Sequence, residues 1–580
     1  MTDPTELTPP TPDPSGPITF TGGPVASSPS WWSRWHRFVI GGAGVAVVAA
    51  AAAGALILVL NPTATVEKIV PASVDVYGLV SLDPSAGQKL NLLQAVHRFP
   101  DTSTDKKISE QLDKAFKDSG LTFSGDVQPW LGPQLGFALQ LPKDSGDPPT
   151  ALLISSRDDA KAKVALTKLQ TGKYGKDYKW STKTYDGVTI TVGSPTSASG
   201  KPGAYALVDH VVIIASSEDL IHQIIDTDRG RSARLVDSSD YKATFAKLPS
   251  DRLALVYVNG KSLVAKLKSQ MSDLASPSMR SLLPQGVNNQ GIADANALQG
   301  IGLVLSARSD GIALDVAAKL DPSKLSASTK AALLQSGDAG NVVAWVPTTA
   351  DGFWSVTGLK QSIQAALDQV GNSDPSVKAG TDEIGLTGPD GVLPHLTGDA
   401  GLEATVDASI TPAGAIVLGT DNAASMQKFL GGILSLAAEN QTSATTHTSI
   451  YRGVKITTLD YHQPFLAGRL SPSYAVLDGM GILASRQAEV VAVINAHKDH
   501  HSIASDPTYV QASQASLAHP AGIFYLDLAR LVAVIEQSPA LGSGAIDSKA
   551  KADLAPLKAF IVTGTSSQDG MLERLVVIIR

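Results

Sequence analysis

The chain has 580 residues, of which 43% are apolar, and its formal net charge at neutral pH is −7. It contains no cysteine, which excludes a disulfide framework, thiolate metal sites and a cysteine nucleophile. The mildly acidic balance gives no electrostatic footprint for nucleic acid. A chain of this length is sufficient for roughly two to four domains.

The first 60 residues differ in composition from the rest. Residues 1–37 are predicted to form a disordered cytoplasmic tail, because a proline-rich polar segment cannot bury enough apolar surface to fold. Residues 38–60 carry no charge and are long enough to predict one transmembrane helix. This run is longer than the core of a cleaved signal peptide, so we favour an uncleaved signal-anchor. The aromatic and basic residues expected at the membrane interface are Trp31, Trp32, Arg34, Trp35 and Arg37.

Those basic residues also predict the orientation, since positive charge resists translocation. The expected location is the plasma membrane, in a single pass, with a cytoplasmic amino terminus and an extracytoplasmic carboxyl-terminal bulk.

The remainder of the chain contains the same series of segments twice. YDGVTIT at Tyr185 matches YRGVKIT at Tyr451, and the segments around Tyr257 and Tyr525 correspond at a similar offset. Short matches in the same order at similar offsets predict two homologous units. The predicted boundaries are a linker at 61–69, a first repeat at 70–321, a linker at 322–340 and a second repeat at 341–580.

Within each unit, strand and helix patterns alternate. Asp186-Gly187 and Asp310-Gly311 each separate two apolar runs, which is typical of a hairpin turn. Ser156 and Ser216 are each followed three residues later by an aspartate, a pattern that predicts a helix start. The expected fold class is α+β: two homologous extracytoplasmic units of antiparallel sheet with covering helices, after the transmembrane helix and the tail.

The segment HKDHH is the strongest candidate for chemistry. His497, His500 and His501, with Asp499, have ligand types that suit zinc or nickel. The segment also follows a predicted helix, where basic groups oppose the helix dipole. We favour this second interpretation, so the sequence predicts no catalytic residue, no cofactor and no metal site beyond these three candidates.

Two segments carry a resemblance to a known family. They are VPASVDVYGLVSLDPS and the following DVQPWLGPQLGFAL, which holds Asp126, Pro129, Trp130, Leu131 and Gly132 in a D-x-x-P-W-L-G pattern. With the apolar run upstream, the chain resembles the bacterial membrane-anchored family called domain of unknown function 3352. The resemblance implies the architecture described above, and it brings no activity, cofactor or site residue.

The function expected from the sequence is that of a non-enzymatic binding or scaffold module of the bacterial envelope. Its expected partners are the membrane, through one helix, and an envelope lipid, glycan or protein, without nucleic acid. One alternative is an envelope hydrolase or metalloenzyme that uses the histidine cluster of His497, His500 and His501. A second alternative is a transmembrane signalling component.

Overall fold

The computed structural model describes most of the chain after residue 65. The described residues are 66–100, 113, 120–142, 146–172, 175–197, 200–273, 294–334, 338–371, 375–407, 411–439, 444–461, 470–538 and 546–580.

Twenty strands lie within this described part, ten in each half. Those of the first half are β1 Val76–Ser81, β2 Leu131–Leu139, β3 Thr150–Ser156, β4 Tyr178–Tyr185, β5 Val188–Pro195, β6 Gly203–Val208, β7 Val211–Ala215, β8 Ala254–Asn259, β9 Leu298–Arg308 and β10 Gly311–Leu320. Those of the second half are β11 Gly352–Val356, β12 Leu396–Val406, β13 Pro412–Thr420, β14 Ala444–Tyr451, β15 Val454–Tyr461, β16 Ser473–Leu477, β17 Met480–Ala484, β18 Gly522–Asp527, β19 Leu557–Ser567 and β20 Gly570–Ile579.

Helices connect the strands and cover the sheet. In the first half they are α1 Ala86–His97, α2 Asp159–Thr171, α3 Glu218–Asp228, α4 Ser239–Phe245 and α5 Gly260–Asp273. From there to the carboxyl terminus they are α6 Ala327–Leu333, α7 Leu359–Gly371, α8 Pro375–Glu383, α9 Ala423–Glu439, α10 Gln487–Lys498, α11 Pro507–Gln514, α12 Leu528–Gln537 and α13 Ser548–Leu554. Among the shorter 3-10 turns are Val66–Ile69, Leu235–Asp237, Ala339–Trp345 and Ile503–Ser505.

All twenty strands belong to one antiparallel sheet. From the middle outward, the first half runs β10-β9-β8-β1-β2-β3-β7-β6-β5-β4. The second half runs β20-β19-β18-β11-β12-β13-β17-β16-β15-β14, which is the same order with ten added to each strand number. This repeated order supports the proposal that the halves are homologous; the domain boundaries stay a prediction.

The two halves join where β10 pairs with β20. The register runs from Gly311 opposite Ile578 to Lys319 opposite Gly570. Asp315 is buried at the centre of this seam, with 1% of its surface exposed. The Nε of Arg574, directly opposite, donates to an oxygen of the Asp315 carboxylate at 2.7 Å. An ion pair therefore holds the register between the two halves.

The core of the first half lies between the sheet and its helices. Helix α3 places Leu220, Ile221, Ile224 and Ile225 in this core, all fully buried. Four apolar residues at helical spacing bury one face, which is the pattern of a helix lying on a sheet. Helix α10 occupies the corresponding place in the second half and buries Val490, Val493 and Ile494.

The predicted membrane span at residues 38–60 lies outside the described residues. So do the tail at 1–37 and the interface residues Trp31, Trp32, Arg34, Trp35 and Arg37. Within the described part, no helix is both long enough and apolar enough to cross a membrane. The longest, α9, has 17 residues, whereas a span needs about 20 apolar ones.

We correct the predicted fold class in its transmembrane helix, and with it the single-pass, signal-anchored plasma-membrane location, because no helix among the described residues supports them. The architecture that the structure describes is an α+β fold of antiparallel sheet and helices. Part of the predicted 61–69 linker belongs to this fold, because Val66–Ile69 form a 3-10 turn whose apolar residues enter the core.

Candidate binding site

The three candidate histidines do not converge on one point. The ring of His497 stacks on Trp345, with centroids 3.6 Å apart and planes 7° from parallel, and its Nε2 lies 3.1 Å from Asp478. His500 adopts a left-handed turn conformation, and the Nδ1 of His501 lies 3.4 Å from a serine hydroxyl. Across the described residues, no group of three or more His, Asp or Glu is placed to hold a metal ion.

The segment around these histidines ties a helix end to a hairpin turn. Arg452, in the turn between β14 and β15, donates to Asp499 at the end of α10 at 2.7 Å. In the first half the charges are exchanged: Asp186, in the corresponding turn, accepts from Arg231 beyond the end of α3 at 3.0 Å. Because an ion pair of opposite polarity ties the turn to the helix end in each half, we assign both segments a structural role.

A cavity of about 320 Å³ lies in the second half of the chain. That volume is on the order of ten water molecules. Its walls come from the segment before β11, from β12 and from helices α10 and α12. The lining residues are Pro347, Thr349, Asp351, Glu403, Thr405, Val406, Glu489, Ala492, Arg530 and Val534.

Glu403 is the unusual residue of this cavity. It is only 4% exposed, and neither oxygen of its carboxyl group has a hydrogen-bond partner among the described residues. Burial raises the pKa of Glu403 to about 8, and the charges of Glu489 and Asp351 add to this. The backbone amide of Ala415, on the paired strand β13, acts in the opposite direction, although it lies outside the geometry of a hydrogen bond. The side chain is therefore mostly a neutral carboxylic acid at pH 7.

The other two acidic residues of the cavity already have partners. Asp351 accepts a hydrogen bond from the backbone amide of Val406 at 2.6 Å. Glu489 accepts two from the guanidinium of Arg486, at 2.8 and 3.3 Å. These two carboxylates are thus fixed in place by the protein, in contrast to that of Glu403.

Arg530 is also engaged. One of its terminal nitrogens, Nη1, donates to the backbone carbonyls of Thr348 and Ala350, at 2.6 and 2.9 Å. The other, Nη2, lies 3.7 Å from Asp506 and 3.8 Å from Asp527. The guanidinium therefore closes one wall of the cavity.

The first half provides a direct comparison, because its backbone contacts are the same. Asp75 accepts from the amide of Leu141 at 2.6 Å, as Asp351 does from Val406. At the start of α5, Asn259 accepts from a backbone amide three residues on, as Asp527 does at the start of α12. These shared contacts, together with the strand register, show which residue of the first half corresponds to which residue of the second half.

In the first half, neutral side chains fill the place of the cavity. Ser73, Gln140 and Gln223 bond to one another at 2.8, 3.0 and 2.8 Å. Their counterparts are Thr349, Thr405 and Ala492, of which the last two are smaller than the glutamines of the first half.

The residue of the first half that corresponds to Glu403 is Ala138. Ala138 pairs with Tyr77 across the sheet, and Glu403 pairs in the same way with Phe353. The third residue of α3 is Leu220, where α10 has Glu489. The second half therefore differs from the first in two ways: it has an open cavity, and it has two additional carboxyl groups, those of Glu403 and Glu489.

The sequence analysis missed Glu403 because strand alternation conceals it. In β12 the apolar Leu402 is 45% exposed while Glu403 beside it is buried, the reverse of the usual pattern. One signal was available: the match between DVQPWLGPQLGFALQL and GVLPHLTGDAGLEATV sets Glu403 against an alanine.

The fold and the site define a class: an α+β protein with one long antiparallel sheet and, in its second half, an acidic cavity whose lining includes the buried Glu403. The chain matches the family described as Protein of unknown function (DUF3352) over residues 38–385 and 392–574, and it belongs to that family. No curated protein matches it.

Similar solved structures include crystal forms III and I of TP0453. Both are 12% identical to this chain and cover 49% of it, with 88% and 86% of their own chains. Their TM-scores are 0.24 and 0.23.

Proposed function

We propose that the protein is a non-enzymatic binding protein, and that the cavity around Glu403 takes a small polar ligand. The observation that carries this proposal is the carboxyl group of Glu403, a residue of the cavity lining whose two oxygens are buried and have no hydrogen-bond partner among the described residues. A buried polar group without a partner costs about 1–3 kcal/mol. The first half avoids this cost because it has an alanine at the corresponding position. The presence of a glutamate in the second half therefore fits a ligand that supplies the missing hydrogen bonds.

The shape of the site agrees with a small ligand. A concave site with a few converging polar groups and apolar walls is typical of small-molecule binding. Thr349 and Thr405 offer hydroxyl groups, whereas Val406, Ala492 and Val534 supply apolar surface.

The alternatives predicted from the sequence have less support. The metalloenzyme alternative needs the histidine cluster to converge, and His497 is instead stacked on Trp345. The signalling alternative depended on the membrane span and is not retained.

The test is a ligand inventory of the full-length protein isolated from its own cells, by native mass spectrometry, with a screen of small polar metabolites by thermal shift. Ala492→Gln restores the glutamine of the first half and should fill the cavity without changing charge. Ala488→Gln, at an exposed position of the same helix, is the matched control.

We expect a bound or stabilising small molecule for the wild type and for Ala488→Gln, and none for Ala492→Gln. Absence of any ligand in both assays, or a ligand that still binds Ala492→Gln unchanged, would contradict the proposed function.

A further inference from the structure

The charges around the cavity indicate the chemical class of its ligand. Four carboxylates, those of Asp351, Glu489, Asp506 and Asp527, lie in or beside it. Two guanidinium groups, those of Arg486 and Arg530, oppose them. The surroundings of Glu403 are therefore net negative even before Glu403 itself ionises.

An anionic ligand finds no free cationic partner among the described residues here. Arg530 is the one cationic residue of the lining, and its Nη1 already donates to two backbone carbonyls. Its Nη2 faces the carboxylates of Asp506 and Asp527. A carboxylate or phosphate would have to displace these contacts and would lie close to like charges, which is unfavourable in a buried site.

A cationic ligand meets the opposite situation. An ammonium group has three N–H donors, and a guanidinium presents a planar pair that matches the two oxygens of a carboxylate. The apolar wall of Val406, Ala492 and Val534 is suited to a short hydrocarbon chain attached to the charged group.

We propose that the ligand is a small organic cation, with a primary ammonium or guanidinium group that pairs with the carboxyl group of Glu403. Its positive charge lies beside Asp351 and Glu489. This inference rests on the proposed function and names the ligand class for the same cavity.

Binding of a cation is coupled to loss of a proton. Burial holds the pKa of Glu403 at about 8 in the free protein, so at pH 7 roughly nine in ten molecules carry the proton there. The bound cation favours the carboxylate, and the proton passes to solvent. The groups that face Glu403 are Asp351 before β11, Glu489 on α10 and Arg530 on α12. We expect the affinity to fall about tenfold for each pH unit below 7.

The test uses butane-1,4-diamine as the probe, with butane-1,4-diol as a neutral control of the same length. Binding to the full-length protein is measured by isothermal titration calorimetry at pH 7, in two buffers of different ionisation enthalpy. We expect the diamine to bind at least tenfold more tightly than the diol, with close to one proton released per ligand bound.

Variants separate the role of Glu403 from that of general acidity. Glu403→Gln keeps the shape but cannot ionise, so we expect at least tenfold weaker diamine binding and no proton release. Asp390→Asn removes a carboxylate whose side chain is 79% exposed, and it should bind like the wild type. The thermal unfolding of each variant is compared first, to confirm that it folds.

Three outcomes would overturn this inference: equal binding of the diol, unchanged binding by Glu403→Gln, or no proton release. If a neutral or anionic molecule is found in the cavity by the ligand inventory while the diamine does not bind, the ligand class is wrong and the proposed binding function stands. If nothing binds in either experiment, both fail.

Discussion

Replacing Glu403 by glutamine should change how the stability of the protein depends on pH. In the unfolded chain this carboxyl group titrates near 4.5, and burial raises its pKa to about 8 in the fold. A raised pKa means that the stability of the folded state is intact below about 4.5 and is lost as the pH rises toward 8. Glutamine does not titrate, so the variant avoids this loss.

The magnitude follows from the shift of the pKa. Each unit of difference between folded and unfolded pKa corresponds to about 1.4 kcal/mol. At pH 7 Glu403 is ionised in the unfolded chain but mostly neutral in the fold, so the wild-type fold is about 3 kcal/mol less stable than in acidic solution. Between pH 5 and pH 7, the free energy of unfolding of Glu403→Gln should rise by about 2–3 kcal/mol relative to the wild type.

The assay is urea unfolding of both full-length proteins at several pH values between 5 and 8, followed by circular dichroism and tryptophan fluorescence. Asp390→Asn serves as the control, because an exposed carboxylate should give a difference from the wild type that does not vary with pH. Parallel curves for the wild type and Glu403→Gln would refute the reasoning, since they would mean that Glu403 titrates normally.

Further predictions concern the seam and the turns. Arg574→Ala should lower the free energy of unfolding by about 3–5 kcal/mol, because Asp315 is then a buried charge without a partner; a loss below about 1 kcal/mol in urea titrations would contradict this. Arg452→Asp should lower the melting temperature, and adding Asp499→Arg should restore it, since the first half makes this contact with the opposite polarity; no recovery would argue against that equivalence. Gly311→Ala should be strongly destabilising, because φ is +154° and a Cβ would lie 1.9 Å from a backbone carbonyl oxygen of β20; an unchanged melting temperature would count against the described seam.

Local features of the fold could be predicted from the sequence. The Asp186-Gly187 turn lies between β4 and β5, with positive φ at both residues, as the hairpin pattern indicated. Two helices begin at residues close to, but different from, those that the sequence predicted. The N-caps are Asp158 and Ser217, not Ser156 and Ser216, because each run offers several side chains able to accept the same hydrogen bond.

The joining of the two halves could not be predicted. The pairing of β10 with β20 links residues more than 250 positions apart, and no local pattern encodes the register that Asp315 and Arg574 hold. The cavity was missed for a related reason. Whether Leu402 or Glu403 faces inward depends on which helix packs over that face of the sheet, and alternation alone favours the leucine.

The most direct test of the ligand site is the electron density in this cavity, in crystals of the full-length protein isolated from its own cells. We predict density for a compact molecule with a hydrogen-bond donor about 3 Å from the carboxyl group of Glu403. A cavity that holds only ordered water, or a Glu403 side chain hydrogen-bonded to other protein groups, would contradict the account.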